Sequence, residues 1–317
     1  MADQVPDFEA GVSYWARTDA TVEGVLGGYG EGTPVPRLDA TSSRLLILSL
    51  LPSLSTITPP HLARPSSSSS TSSPRPSRPF RALDCGAGIG RVTRDTLLPL
   101  FDSVDLVEPV PAFVAEAERN ARSGRDGWRA LAPSASTSTS TSSEGGGGAR
   151  TSKSVRIWKA GLQHFDPLRP AVPVEDGSAS AKVELAATVG SDDFTWPDPE
   201  RELDLAEEGY DLVQGQWCLG HLSDAELVSF LQRARAALRT SRTDGSCEGF
   251  IIVKENVCSD SAADGAGRLF DDDDSSITRS DRAFRDVFDR AGLEIVRREV
   301  QLGFPEELFP VVSYALR

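Results

Sequence analysis

Asp84-Cys85-Gly86-Ala87-Gly88-Ile89-Gly90-Arg91 is the stretch on which the reading of this chain turns. A short, mostly apolar run, 80–83, precedes it, and a helix-like run, 92–100, follows. A strand that ends in a Gly-rich turn and then opens a helix is the arrangement that cradles a nucleotide cofactor. Glycines let the backbone approach a ligand closely, and the first helical turn offers N–H groups with no acceptor of their own. A second apolar run, 104–107, leads into Glu108, 24 residues after Asp84. An acidic residue at that distance can reach ribose hydroxyls.

The turn also discriminates between cofactors. The dinucleotide fingerprint G-x-G-x-x-G fails, because Arg91 stands where its last glycine would fall, and no Gly-Lys-Ser/Thr follows to make a phosphate loop. An acid-x-Gly-x-Gly-x-Gly turn resembles the first motif of class I S-adenosylmethionine-dependent methyltransferases. On these residues alone, an ordinary strand–helix turn stays open beside that reading.

Composition narrows the class. The chain has 317 residues, 39% apolar and 7% aromatic, enough for one globular domain with insertions or for two small ones. Four cysteines without C-x-x-C spacing and three histidines make a metal site improbable and suit a reducing compartment. Met1-Ala2-Asp3-Gln4 does not read as a signal peptide, and the apolar run 45–54 is too short to span a bilayer. The expectation is a soluble protein of the cytoplasm, and also of the nucleus, with no membrane partner. A formal charge of −14 makes nucleic acid a poor partner and favours a cationic one, although the same charge also serves solubility.

Three stretches look unable to bury enough apolar surface to offset their ordering entropy: Ser/Pro-rich 53–79, Ser/Thr/Gly-rich 133–152, and acidic, Pro-broken 167–209. They read as low-complexity insertions in a single domain running from 1 to 317, and removing them leaves about 230 residues. The remainder alternates. Strands are predicted at 80–83, 104–107, 155–160, 210–215 and 249–254, with helices at 92–100, 111–122 and 224–239, the last with Asp224 as candidate N-cap. Helices are also predicted at 8–17, 39–51 and 282–291, and two late strands, 294–300 and 311–316, form a hairpin-like pair. The alternation implies an α/β fold with a parallel, doubly wound sheet that binds ligands at the C-terminal ends of its strands.

That edge collects further residues. The fourth predicted strand ends in Gln214-Gly215-Gln216-Trp217-Cys218-Leu219-Gly220-His221, and the fifth in Lys254-Glu255-Asn256. Phe270 is followed by four aspartates and Ser275-Ser276, with neither the sixth-position Gly nor the twelfth-position acid of an EF-hand. A solvated loop and a carboxylate cluster for a basic ligand are both open for this run. Tyr14-Trp15 and Leu26-Gly27-Gly28-Tyr29-Gly30 could lid the same edge or simply pack on the domain.

Taken together, these segments, with Gly161-Leu162-Gln163 and Phe304-Pro305-Glu306-Glu307-Leu308, resemble the protein α-N-terminal methyltransferase family, which methylates the amine of chains beginning X-Pro-Lys/Arg. The resemblance implies a Rossmann-like class I methyltransferase fold with a seven-stranded, mostly parallel sheet, N-terminal helices and a hairpin inserted before the sixth strand. It implies S-adenosyl-L-methionine as cofactor, held by Gly86, Gly88, Arg91, Glu108, Leu162, Gln163 and Gln216, with Arg91 on its carboxylate. Trp15 and Trp217 would wall the substrate channel, and Asn256 would hold the peptide. Asp271 and Ser276 would receive the basic third residue, and Asp274 and His221 would act on the amine. Partners would be protein N-termini with the X-Pro-Lys/Arg motif, ribosomal proteins among the candidates. A methyltransferase of the same fold acting on a different amine is the alternative. Phe309 departs from a Tyr frequent among relatives, and the 167–209 stretch has no counterpart in compact ones.

Overall fold

The computed structural model describes residues 4–55, 78–131, 153–174, 182–191, 194–261 and 265–317. Most of the 53–79 stretch and all of the 133–152 stretch lie outside the described residues. Three helices come first: α1 (Phe8–Trp15), the single turn α2 (Val22–Val25) and α3 (Val35–Leu50). Asp7 caps α1 by accepting from the Ala10 N–H, and Thr21 caps α2 in the same way.

The centre is one eight-stranded sheet. In chain order its strands are β1 (Arg81–Cys85), β2 (Ser103–Glu108), β3 (Ser154–Lys159), β4 (Glu184–Gly190), β5 (Leu212–Gln216) and β6 (Phe250–Asn256). A separate two-stranded hairpin, β7 (Arg268–Asp271) and β8 (Ser276–Arg279), precedes the last two sheet strands, β9 (Ile295–Val300) and β10 (Val311–Leu316). Across the sheet the order is β4-β3-β2-β1-β5-β6-β10-β9. β3, β2, β1, β5 and β6 run parallel, while β10 inserts antiparallel beside β6. β1, β2 and β5 are buried along their whole length, as expected of parallel strands covered on both faces. The order in which strands are added reverses between β1 and β5, so the ends of those two parallel strands form the crevice where α/β sheets bind ligands.

The predicted sheet has seven strands, and the eighth is β4. It comes from inside 167–209, the stretch read as unable to pack. β4 pairs antiparallel with β3, so the free edge of β3 supplies the backbone hydrogen bonds that its own composition does not promise. Beyond it, Trp196 covers Arg156 at 4.2 Å from the ring centre and donates from its indole to Ser154. The acidic, Pro-broken sequence therefore hides one strand and one aromatic anchor.

Of the helices on the two faces, α4 (Pro111–Ser123) begins with Pro at its first turn and stops at Gly124, whose φ is +58°. α5 (Leu205–Glu208) is a single turn. α6 (Asp224–Ala236) opens on a reciprocal Ser223/Glu226 cap, so the N-cap is Ser223 rather than the expected Asp224. α7 (Asp281–Arg290) is capped by Ser280. After the glycine turn the predicted helix is a wide π-turn, Thr93–Leu97, closed by the Leu98 N–H donating to the Thr93 carbonyl at 2.8 Å. Among the described residues no helix is long and apolar enough to cross a membrane.

Candidate active site

The glycine turn lies where β1 meets the crevice. Gly86, Gly88 and Gly90 all have positive φ, +60°, +56° and +79°. Two of them are also required by space. A Cβ at Gly86 would sit 2.2 Å from Cys218 Cβ, and one at Gly90 would meet Trp128 at 2.9 Å. Gly88 differs, because its open side meets only Val25 Cγ1, at 3.8 Å. That leaves a cradle which a side chain would fill and a ligand can use.

Glu108 closes β2 beside this cradle. One carboxylate oxygen accepts from the Gly88 N–H and the other from the Val110 N–H, both at 2.8 Å. Burial pushes the carboxyl up to about 7, although these two hydrogen bonds oppose the shift. Across the cleft, Leu162 and Gln163 stand on a loop pinned from beneath. The Arg233 guanidinium donates to the carbonyls of Leu162, Gln163 and Phe165 at 3.0–3.2 Å. Gly86, Gly88, Glu108, Leu162 and Gln163 line one cleft of about 760 Å³, roofed by Phe8, Val12 and Trp15 of α1. Apolar walls and one carboxylate at the end of β2 suit the nucleoside portion of S-adenosylmethionine.

Arg91 and Gln216 sit deeper. Arg91 donates to Asp39 of α3 at 2.6 Å, and the Gln216 amide donates to the same carboxylate at 2.9 Å. Lys254 also reaches Asp39, at 2.6 Å. The cleft wall therefore does not include the Arg91 or Gln216 side chains, while the Arg91 guanidinium lies 5.5 Å from the centre of the Trp217 ring.

A second cleft, about 1000 Å³, opens on the other side of Trp217. Asn256, Ser276 and Asp274 line it, together with the Leu26–Gly27 turn and Tyr29. The two clefts share Trp15, Val25, Trp217 and His221, so the wall between them is also their junction. Trp217 adopts φ +53°, a left-handed conformation that costs a bulky residue on the order of 1–3 kcal/mol. The loop that carries it is held by Glu255, whose Oε1 accepts from the Cys218 and Leu219 N–H groups at 2.9 Å. Burial raises the Glu255 carboxyl to about 7.

His221 and Asp274 meet at the junction, with Nε2 and Oδ2 3.9 Å apart. The Trp15 indole donates to His221 Nε2 at 3.0 Å. Burial holds the imidazole below its ordinary value, with the Asp274 charge opposing. The Asp274 Oδ1 is buried without a hydrogen-bond partner, as is the Trp217 indole nitrogen. A buried, unpartnered carboxylate oxygen is costly unless a donor completes it.

The aspartate run is resolved by its register. β7 and β8 place Asp271 opposite Ser276, and the turn between them carries Asp274 inward. Asp271 itself is exposed and accepts from the Asp273 N–H at 2.9 Å, so it stands outside the cleft wall, at the hairpin's tip. The hairpin is tied to the N-terminal segment, because the Asp7 N–H donates to Ser275 Oγ at 2.8 Å.

Sequence reasoning missed Asp39 and Glu255 as parts of the site. Glu255 had a usable signal, an acid at a strand end beside Asn256. Asp39 had none, because it sits on a helix remote in sequence from everything it binds.

Known proteins resemble this chain over nearly its whole length. A family model described as AdoMet dependent proline di-methyltransferase matches residues 3–132 and 173–317. The alpha N-terminal protein methyltransferase 1 of Arabidopsis thaliana is 30% identical, over 98% of this chain and 79% of that protein. The N-terminal Xaa-Pro-Lys N-methyltransferase 1-B of Xenopus laevis is 30% identical, over 100% of this chain and 98% of that protein. A solved SAM-dependent methyltransferase from Leishmania major superposes with a TM-score of 0.59 at 28% identity, covering 98% of this chain and 82% of its own. On that match, which takes in both the glycine turn and the His221–Asp274 junction, the chain belongs to the AdoMet-dependent proline di-methyltransferase family.

Proposed function

We propose that this chain methylates the α-amino nitrogen of protein N-termini beginning Xaa-Pro-Lys or Xaa-Pro-Arg, with S-adenosylmethionine as methyl donor. The observation that carries this reading is the junction: two clefts share Trp15, Trp217 and His221, and Asp274 brings an unpartnered carboxylate oxygen to it. S-adenosylmethionine supplies an electrophilic methyl group on its sulfonium. Gly86, Gly88 and Glu108 would hold its nucleoside end, Leu162 and Gln163 would flank the base, and Arg91 and Gln216, now behind the cleft wall on Asp39, would meet the methionyl end.

The attacking amine must be neutral, and an α-amino group has a pKa of roughly 7.7–8.0, so at neutral pH much of it carries a proton. Asp274 Oδ1 would accept a hydrogen bond from that amine and take its proton, freeing the lone pair for the new C–N bond while the sulfur–methyl bond breaks and S-adenosylhomocysteine leaves as the neutral thioether. His221 backs Asp274 and keeps the junction polar on one side only. Trp15 and Trp217 exclude water and face the proline ring and the amine, where a desolvated cation–π contact is worth about 0.5–2 kcal/mol. Asn256 holds the peptide backbone, and Ser276, with Asp271 at the hairpin tip, receives the basic third side chain. Ribosomal proteins with such N-termini are candidate substrates, which the cytoplasm and nucleus would supply.

Mass spectrometry of an Xaa-Pro-Lys peptide incubated with the protein and labelled S-adenosylmethionine tests this directly. Label on the first residue is expected, with none on the same peptide after N-terminal acetylation. Equal labelling of the acetylated peptide would move the reaction to a side-chain amine and overturn the reading.

A further inference from the structure

Asp39 is among the most thoroughly used carboxylates in the molecule. Only 1% of it is exposed, and it sits on α3, outside both clefts. Three side chains from three different elements donate to it: Arg91 after the glycine turn, Gln216 at the end of β5, and Lys254 on β6, at 2.6, 2.9 and 2.6 Å. Lys254 is fully engaged, with the Ser42 and Ser43 hydroxyls and the Gln301 side-chain Oε1 also within 3.0–3.2 Å. Burial alone would raise the Asp39 carboxyl, but Arg91 and Lys254 more than offset it and hold it below its ordinary value. The group is therefore an anion facing two cations. Glu299 acts on the Lys254 side, and the buried Asp84 carboxyl on the Arg91 side.

Arg91 has one N–H on Asp39, and its planar fork has others to offer a carboxylate. A buried guanidinium so placed is preorganised rather than left to search rotamers, and preorganisation is where much binding energy is won or lost. Lys254 immediately precedes Glu255 and Asn256, which line the peptide cleft.

We propose that Asp39 is a positioning residue for the cofactor, its carboxylate setting Arg91 and Gln216 against the methionyl end of S-adenosylmethionine. This rests on the proposed cofactor reading, in which those two side chains meet that end. Asp39 touches no reacting atom in this account. It fixes the angle of the Arg91 fork and the rotamer of the Gln216 amide, and a one-methylene or one-charge error there misplaces both.

Calorimetric titration of the full chain with S-adenosylhomocysteine is the test, on wild type, Asp39→Asn, Arg91→Ala and the double variant. We expect Asp39→Asn to weaken binding at least tenfold while the KM for an Xaa-Pro-Lys peptide at saturating cofactor stays within threefold. The double variant should bind no more than twofold worse than Arg91→Ala, since both changes remove one function. A purely structural Asp39 would lower the melting temperature without that pattern. Cofactor affinity within twofold of wild type in Asp39→Asn, alongside a tenfold loss in Arg91→Ala, overturns the inference. Wild-type affinity in Arg91→Ala would instead sink the cofactor reading itself. Should Asp39→Asn fail to fold, Asp39→Asn/Lys254→Met keeps the net charge of the cluster, and the same affinity criteria decide.

Discussion

The Trp15 indole N–H donates to His221 Nε2 at 3.0 Å, so the nitrogen nearer Asp274 is already occupied by a donor. The imidazole is thereby fixed as the tautomer with its proton on Nδ1, and a hydrogen bond to the neutral form makes protonation at Nε2 harder. In the proposed reaction that leaves Asp274, rather than His221, as the proton acceptor, with the imidazole held in place by Trp15.

Replacing Trp15 by Phe keeps most of the apolar roof and removes that donor. We predict that the His221 pKa then rises from its burial-lowered position and that turnover drops about tenfold. An NMR titration of the His221 ring reports the shift. An unmoved titration would mean that the indole contact has no hold on the imidazole.

Asp274→Asn retains size and polarity but cannot take a proton. General-base contributions are typically 10²–10⁴-fold. We therefore expect kcat to fall by at least about 100-fold with the peptide KM changed less than about threefold. Steady-state kinetics on a Pro-Lys peptide decide the matter, and a mutant with wild-type kcat would remove Asp274 from the chemistry.

Glu108 ionises near 7 in the free protein, and only its ionised form has full capacity to accept from ribose hydroxyls. Cofactor affinity should thus be greatest above pH 7 and decline as pH falls through it. Glu108→Gln imitates the protonated state. It should bind S-adenosylhomocysteine roughly tenfold more weakly at pH 8, about the worth of one charge-assisted hydrogen bond, with a flat profile between pH 6 and 8. Parallel profiles for mutant and wild type would contradict this.

Glu255 offers a stability prediction of definite sign. Its folded value near 7 lies above the ordinary 4.5, so the folded chain holds the proton more tightly than the unfolded one. The associated stabilisation is complete below about pH 4.5 and is lost as pH rises through 7, when a buried charge remains at a cost on the order of 3 kcal/mol. Glu255→Gln keeps the Oε1 acceptor for the Cys218 and Leu219 N–H groups and removes the charge. Its melting temperature should match wild type near pH 5 and exceed it by several degrees at pH 8. A difference independent of pH would count against a neutral Glu255.

Much of this was legible in the sequence, for local reasons. The glycine turn, its flanking strands and Glu108 lie within 25 consecutive positions, 84–108, and each carries its own signal. Trp217 and His221 follow a strand end, where topology alone delivers them to the crevice. What escaped was non-local. Asp39 meets Arg91, Gln216 and Lys254 across separations of 52, 177 and 215 residues, which no pattern on α3 announces. β4 escaped because its stability is borrowed from the edge of β3. Within the aspartate run, only the register of the β7–β8 hairpin separates Asp274, turned inward, from Asp271, left in solvent. That distinction belongs to a turn rather than to composition.

The Asp7–Ser275 hydrogen bond joins backbone and hydroxyl across 268 residues of chain. Contacts of such sequence separation are the slowest to form and the dearest in loop-closure entropy. Both ligand chambers borrow a wall from the segment beginning at Phe8, which this hydrogen bond ties to the β7–β8 hairpin. One short segment thereby serves donor and acceptor chambers together, so loosening it would open both at once.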